Sequence, residues 1–454
     1  MSVADEPWIA RAARLYPDRV AVDAPDGTLT YAHLFAAASS FAGTLTDGPA
    51  SPRLAIELPP GAAFAVALHG AWLRHRVVVP IDSRLPARAR AVRLAGCEAV
   101  IDAAAATPFL DGATSAGSTT TWPPEAERGQ APSRDAEGDV VLWTSGSTGA
   151  GTEVRLTHEN LLWNALGSAV ALGQPADERW LSAMPVAHVG GFTVFTRSVL
   201  AGTTAVVRPR FDVQEQVDLL MAGEATITSV VPTMLGRMLD AGLDHPPTLR
   251  LVLLGGAPIT PDLLRRAEAA GIPVTGTYGM TEACSQVVTA GAPLFCTRAV
   301  LRGELEVAGS EDPERADEIL VKGPTLALGV AGPDGWLATG DRGVRRPDGS
   351  LTVVGRLAET IITGGENVAP TEVEAELVAL PGVDDAAVLG VDDPEWGERI
   401  EARVVLAPGH ALDEAGLVAA LRGSLAPFAV PKRITAVPSL PRTPTGKLIR
   451  RDLR

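Results

Sequence analysis

The chain has 454 residues, 46% of them hydrophobic and 20% charged, so it reads as globular rather than disordered and is long enough for two or three domains with substantial cores. Its formal net charge of −15 argues against nucleic acid or an anionic membrane surface as partner, and any anion must be bound by local donors. The start, Met1 to Glu6, carries no signal-peptide pattern and no apolar run approaches the ~20 residues that span a bilayer, so the expected location is cytoplasmic.

In chain order, residues 53–81 read as strand, helix, strand: Arg53 to Leu58, Gly61 to Arg74, then Val77 to Ile81, the unit of a parallel sheet. Residues 107–138 are rich in Ser, Thr, Gly and Pro and read as an irregular surface connection. The apolar run Val140 to Trp143 reads as a buried strand feeding the small residues Thr144, Ser145, Gly146, Ser147, Thr148 and Gly149. Thr157 is placed as the N-cap of a helix to about Leu172. Ile227 to Val231 and Leu251 to Leu254 read as strands, the first followed by a helix start at Pro232, and Thr260, Pro261 and Gly271 bracket a further helix. The pattern is α/β, and Arg356 to Glu359 is read as a boundary. The expected division is residues 1–356 and 357–454, the second a small α+β domain. It opens with a capping box at Thr371 and Glu374, continues through strands near Ala386 to Val391 and Ala402 to Leu406, and adds a helix from Asp413.

Cys97, Cys284 and Cys296 are too few and scattered for a disulfide framework or a sulfur-bound metal, and each is expected to be a small buried hydrophobe. Of 39 basic residues only Lys322, Lys432 and Lys447 are lysine, which sets each apart from ordinary surface lysines.

Several clusters suit phosphate and nucleotide chemistry. Backbone N–H groups of the loop 144–149 can converge on an anion, because glycines reach dihedrals closed to other residues and the hydroxyls add donors; the same residues also suit a plain turn. Tyr278, Gly279, Met280, Thr281 and Glu282 follow a strand read at Pro273 to Thr277, where open α/β sheets bind ligands. The aromatic can cover a base and the carboxylate can hold Mg²⁺, or the tyrosine simply packs in a polar turn. Gly255, Gly256 and Ala257 leave room for a flat base, Asp341 in a Thr-Gly-Asp turn suits ribose hydroxyls, and Arg356 suits ribose, phosphate or a surface acid.

Together these segments resemble the adenylate-forming superfamily of acyl-CoA synthetases, luciferases and adenylation domains over nearly the whole chain. The motifs are Thr-Ser-Gly-Ser-Thr-Gly (144–149), Tyr-Gly-Met-Thr-Glu (278–282), Thr-Gly-Asp (339–341), Gly-Arg (355–356), Gly-Gly-Glu-Asn (364–367) and Pro-Thr-Gly-Lys (444–447). The resemblance implies a large N-terminal domain with parallel and mixed sheets, hinged to a small mobile one. It also implies two half-reactions: a carboxylate attacks the α-phosphate of MgATP to give acyl-AMP and pyrophosphate, then the thiol of coenzyme A displaces AMP. Lys447 would bridge carboxylate and α-phosphate, Glu282 would anchor Mg²⁺, and Gly364 and Gly365 would line the pantetheine tunnel.

Two departures stand out. Gly151, Thr152 and Glu153 follow where the family usually has Pro, Lys, Gly, which removes a positive charge near the β- and γ-phosphates and adds a negative one. Weaker ATP binding or slower adenylation is expected. Ala358 replaces the usual hinge Asp or Lys, so a polar tether is expected to be absent.

Within the superfamily the resemblance points to the o-succinylbenzoate:CoA ligases of menaquinone biosynthesis, through Met184-Pro-Val-Ala-His188-Val-Gly-Gly, Arg197 nine residues on, Leu253-Leu-Gly-Gly-Ala-Pro, and Tyr278 through Thr289. It implies that His188 lines the acyl pocket and that Arg197 receives the ring carboxylate, helped by Ser285 and Gln286. On residues alone Arg197 also suits a solvated helix flank and His188 a packed loop. The alternatives are a ligase for another aryl or aliphatic acid, a catalytically weak nucleotide-binding relative, and an adenylation module serving a carrier protein, although no carrier domain follows Arg454. A homo-oligomer is compatible with these readings.

Overall fold

The computed structural model describes residues 6–45, 53–113, 138–144, 152–306, 316–363, 366–394, 396–442 and 448–453. Ala62–Leu73 is the helix at its centre, with every residue from Ala62 to Trp72 buried. A helix apolar on all sides has no solvent face, and this one packs between two sheets. One sheet has five strands in the order Cys97–Ile101, Arg53–Ile56, Val77–Pro80, Val140–Trp143, Glu153–Leu156. The other has nine, and its middle six are parallel: Val274–Met280, Leu251–Gly255, Ile227–Val230, Arg179–Ser182, Thr204–Val207 and Val20–Ala24. Antiparallel strands close its edges, among them Ser285–Thr289 beside Val274–Met280. A third sheet, from Arg298–Leu301 to Leu351–Arg356, is antiparallel throughout.

Beyond it, Ile361, Val373, Leu377, Val388, Ile400, Val404 and Ile434 belong to a separate apolar core under a fourth sheet. The α/β expectation, with a large N-terminal part and a small C-terminal one, therefore holds. Among the described residues no helix is long and apolar enough to cross a membrane.

Local signals are borne out where side chains serve the backbone next to them. Thr157 caps His158–Leu172 in a capping box with Asn160, and Thr260 caps Pro261–Ala269. The capping box at Thr371 and Glu374 does not form. Pro370–Val378 starts from Ala369 without a side-chain cap. Thr371 Oγ1 instead donates to Val354 O at 2.5 Å, while Glu374 accepts from Val388 N at 2.7 Å and from Arg450. Long-range partners outbid the local ones because they join helix, strand and chain end in one network. Pro108–Ala113 is helical, where an irregular connection is expected. Of the three cysteines only Cys284 is fully buried; Cys97 and Cys296 are half-buried, and all are free thiols.

Two measurements follow from this packing. Thr157→Ala removes one half of a capping box and is expected to cost about 1 kcal/mol, read as a lower urea midpoint. His69 is 3% exposed, and burial with His158 nearby holds its imidazole down at about 3 against an ordinary 6.5. The unfolded chain thus binds one proton more between those values, so this contribution to stability is complete above pH 6.5 and falls with pH through that window, by up to ~1.4 kcal/mol per pH unit. His69→Leu should flatten that limb in a pH series of thermal midpoints.

Candidate active site

One part of the site gathers at the carboxyl ends of parallel strands. Gly255 lies opposite Thr277, and a Cβ on it would stand 2.7 Å from Thr277 O, so close strand approach already requires a glycine there. Gly256 follows at φ +81°, the left-handed region that favours glycine, and Ala257 is half-buried beside it. Tyr278, Gly279 and Met280 lie inside the strand Val274–Met280 rather than beyond it. The Tyr278 hydroxyl donates to Asp341 Oδ2 at 2.7 Å, and Arg356 Nε lies 2.9 Å from Asp341 Oδ1. Burial, reinforced by the Asp341 carboxylate, pushes the phenol well above its ordinary range, so it stays protonated and donates.

The turn expected at Thr339-Gly340-Asp341 is part of the strand Leu337–Arg345. Asp341 pairs there with Arg356 across the ladder, and Gly340 sits at φ +71°, in the left-handed region. The ladder to Asp317–Lys322 is interrupted here, passing from Glu318 opposite Arg342 to Leu320 opposite Ala338, so the turn preference of Thr-Gly-Asp survives as a bulge within the strand. Glu282 is half-buried in the turn Thr281–Ala283 and forms no ion pair with a described residue. One free carboxylate fits Mg²⁺, which keeps several waters and needs few protein ligands.

The residues expected at the acid divide into two groups. His188 precedes the helix Val189–Ala201, which carries Arg197 about 13 Å further along its axis. Burial lowers the His188 pKa, opposed by Asp82 and assisted by Arg93 and Arg84, so the ring is neutral at working pH and lines rather than charges its surroundings. Arg197 is not a solvated flank: it is 3% exposed. Its Nη2 donates to Asn164 Oδ1 at 2.8 Å and to Ser285 Oγ at 3.3 Å, and its guanidinium lies over the Trp180 ring at 5.2 Å from the centroid. Burial pulls its pKa down to about 10, which leaves it charged at neutral pH. Gln286 is buried nearby in sequence, but its amide donates to Thr289 Oγ1.

At the phosphate loop the structure describes only the closing residues. Thr144 N donates to Thr152 O at 3.0 Å, and Thr152 N donates back to Thr144 Oγ1 at 3.3 Å. Ser145, Gly146, Ser147, Thr148, Gly149, Gly364, Gly365 and Lys447 lie outside the described residues. The negative charge expected from Glu153 is not left free. Arg53 grips both its oxygens, at 2.8 and 2.9 Å, in a fork of the strongest ion-pair geometry. The expected hinge residue Ala358 is exposed in the turn Leu357–Glu359, and the ion pair one residue on lies within residues 357–454 and does not bridge the expected boundary. Arg450 Nε donates to Glu359 Oε2 at 2.9 Å and its other nitrogens reach Glu374 and Val388 O.

Sequence reasoning missed Asn164, Trp180, Arg53 and Arg450. A signal existed for the first: Asn160, Asn164 and Ser168 recur every four residues along one side of an otherwise apolar helix, and all three are buried. Arg53 pairs across 100 residues, Arg450 across 76 and 91, and Trp180 through a ring face, and none leaves a periodic trace.

The family model described as AMP-binding enzyme matches residues 9–330, and that described as AMP-binding enzyme C-terminal domain matches 372–447. The chain is 35% identical to 2-succinylbenzoate--CoA ligase of Bacillus licheniformis, covering 98% of each chain, and 35% identical to that of Geobacillus kaustophilus, over 98% of this chain and 97% of the relative. Among solved structures it is similar to o-succinylbenzoate CoA synthetase from Bacillus subtilis in complex with its acyl-adenylate intermediate, with TM-score 0.84 and 30% identity over 99% of this chain and 98% of that one.

With Glu153 already paired, the cost of the altered loop reduces to the missing cation. Thr152→Lys is expected to lower KM for MgATP by about two- to fivefold, the scale of one exposed charge pair, with kcat changed less; steady-state kinetics at varied MgATP check it, and an unchanged KM contradicts it.

Proposed function

The chain belongs to the AMP-binding enzyme family, and on that premise we propose that it is an ATP-dependent acid:CoA ligase whose acid is o-succinylbenzoate. The observation that carries the substrate is Arg197: a guanidinium 3% exposed, charged at neutral pH, with an amide oxygen and a hydroxyl as hydrogen-bond partners and no carboxylate partner among the described residues. A buried cation without a counter-ion is costly unless an anion completes it. o-Succinylbenzoate brings a second carboxylate on its ring, separate from the one that reacts. The names of the relatives, 2-succinylbenzoate--CoA ligases along nearly their whole length, support the same acid.

In this reading the chain divides at the hinge, residues 1–356 binding ATP and acid and residues 357–454 carrying Lys447. Gly255 to Ala257 and Tyr278 to Met280 flank the base. Asp341 holds the ribose hydroxyls, since a carboxylate offers about four acceptor sites and Tyr278 and Arg356 take one each. The loop Thr144 to Gly149 cradles the phosphates. Glu282, with Thr281 beside it, holds Mg²⁺, which when bound offsets phosphate charge.

The reacting carboxylate and the polyphosphate are both anions, so positive charge must stand at the in-line centre. Lys447 supplies it by donating to a carboxylate oxygen and an α-phosphate oxygen. The carboxylate oxygen bonds to the α-phosphorus as the bond to pyrophosphate breaks, giving acyl-AMP. The coenzyme A sulfur, entering beside Gly364 and Gly365, then bonds to the acyl carbon, the acyl–phosphate bond breaks, AMP leaves with the electron pair, and the thiol proton is released to solvent. No side chain need deprotonate the acid, consistent with a neutral His188.

Mass spectrometry of products from purified protein with MgATP, coenzyme A and o-succinylbenzoate, beside a panel of benzoates and fatty acids, tests this. A thioester formed with o-succinylbenzoate, and reduced by two orders of magnitude or more in Lys447→Ala (an electrostatic loss of about 3 kcal/mol), is expected; a thioester formed only from another acid replaces the substrate.

A further inference from the structure

Arg197 sits in a wall that could have neutralised it and does not. Asn164, fully buried on the helix His158–Leu172, accepts from Nη2 at 2.8 Å through its amide oxygen. Aspartate has nearly the same shape and would accept the same bond with a full negative charge. The other groups around the guanidinium are also uncharged. Ser285 offers a hydroxyl, and Trp180 a ring face, itself held by a 2.8 Å bond from its Nε1 to Ser229 Oγ. Burial keeps the Cys284 thiol at about 12, hence neutral. The carboxylate beside this wall, Glu178, shares a small cavity lining with Trp180 and Arg197 but is engaged by Arg250 and Thr226. Arg197 Nε and Asn164 Nδ2 meanwhile stay buried with no hydrogen-bond partner among the described residues.

We propose that Asn164 is a positioning and specificity-determining residue: it aims the Arg197 guanidinium through a neutral acceptor, and so leaves the full positive charge for the second carboxylate of a dicarboxylic acid. This rests on the functional reading above. The physics is an exclusion. An ion pair inside the wall would satisfy Arg197 without substrate, and the ring carboxylate would then enter beside a like charge, which disfavours its ionised form. A neutral amide fixes the same geometry with no such competition. The preference for an acid with two carboxylates over one is thus set on the helix behind the arginine as much as by the arginine.

The test compares o-succinylbenzoate with 4-oxo-4-phenylbutyrate, the same acid without its ring carboxylate, in wild type and Asn164→Asp. The readout is the ratio of kcat/KM for the two acids. In Asn164→Asp the ratio is expected to fall by about tenfold or more, the scale of one charge-assisted hydrogen bond, with the change in KM for o-succinylbenzoate. Equal losses for both acids would mean a purely structural role and overturn the inference, as would an unchanged ratio. Should the aspartate variant not fold, Asn164→Ala removes the acceptor without adding charge. A smaller fall of the ratio, again in KM for o-succinylbenzoate, is then expected, and equal losses overturn the proposal there too. A wild type with no preference for o-succinylbenzoate overturns the functional reading itself, whereas a strong preference that survives both variants overturns only the role of Asn164.

Discussion

The antiparallel pairing of Val274–Met280 with Ser285–Thr289 is the constraint on which the site depends. Its first strand carries Tyr278 and leads into Glu282. Its second begins with Ser285 and Gln286, and Met280 stands directly opposite Ser285. A proposed nucleotide group and a proposed acid group are thereby fixed on one hairpin, with a spacing set by ladder hydrogen bonds. Gly279 shows how tight the pairing is: a Cβ there would fall 1.7 Å from Ser285 O. Cys284 and Ser285, at φ +56° and +90°, adopt the strained backbone that turns the chain between the two strands.

Charge management is the second theme. The proposed reaction brings two carboxylates and a polyphosphate together on a chain of net charge −15. The cations for it must be placed one at a time, and the structure distinguishes those already neutralised from those held in reserve. Arg53 is committed to Glu153, Arg250 to Glu178, and Arg450 to Glu359 and Glu374. Arg356 shares Asp341 with the Tyr278 hydroxyl, which leaves that carboxylate with free acceptor sites. Arg197 alone in this set is buried against neutral groups, and the cost of keeping it so is the strongest physical argument for a dianionic acid.

The small C-terminal part is connected to this site through more than a hinge. Thr371 reaches back to the strand Leu351–Arg356, while Arg450 ties the chain end to Glu359 within the small part itself. Lys447 lies three residues before Arg450 in sequence.

Much was legible in the sequence because it depended on neighbours in the chain. The Thr157 and Thr260 caps and Pro232 and Pro261 in first turns arise from contacts within a few residues, and the strands show as short apolar runs, so turn chemistry and local pattern record them. The motifs likewise brought Tyr278, Asp341 and Arg356 into one hypothesis, which the fold joins within hydrogen-bond distance. What only tertiary structure decided was electrostatic and long-range. Thr371 and Glu374 look like a local cap but serve Val354, Val388 and Arg450, and Glu153 looks like an added charge but is cancelled by Arg53, 100 residues away. The same holds for Arg197, whose sequence context suits a solvated flank equally well. Whether a charge is free or paired depends on burial and on partners brought in from other strands, and no local pattern encodes either.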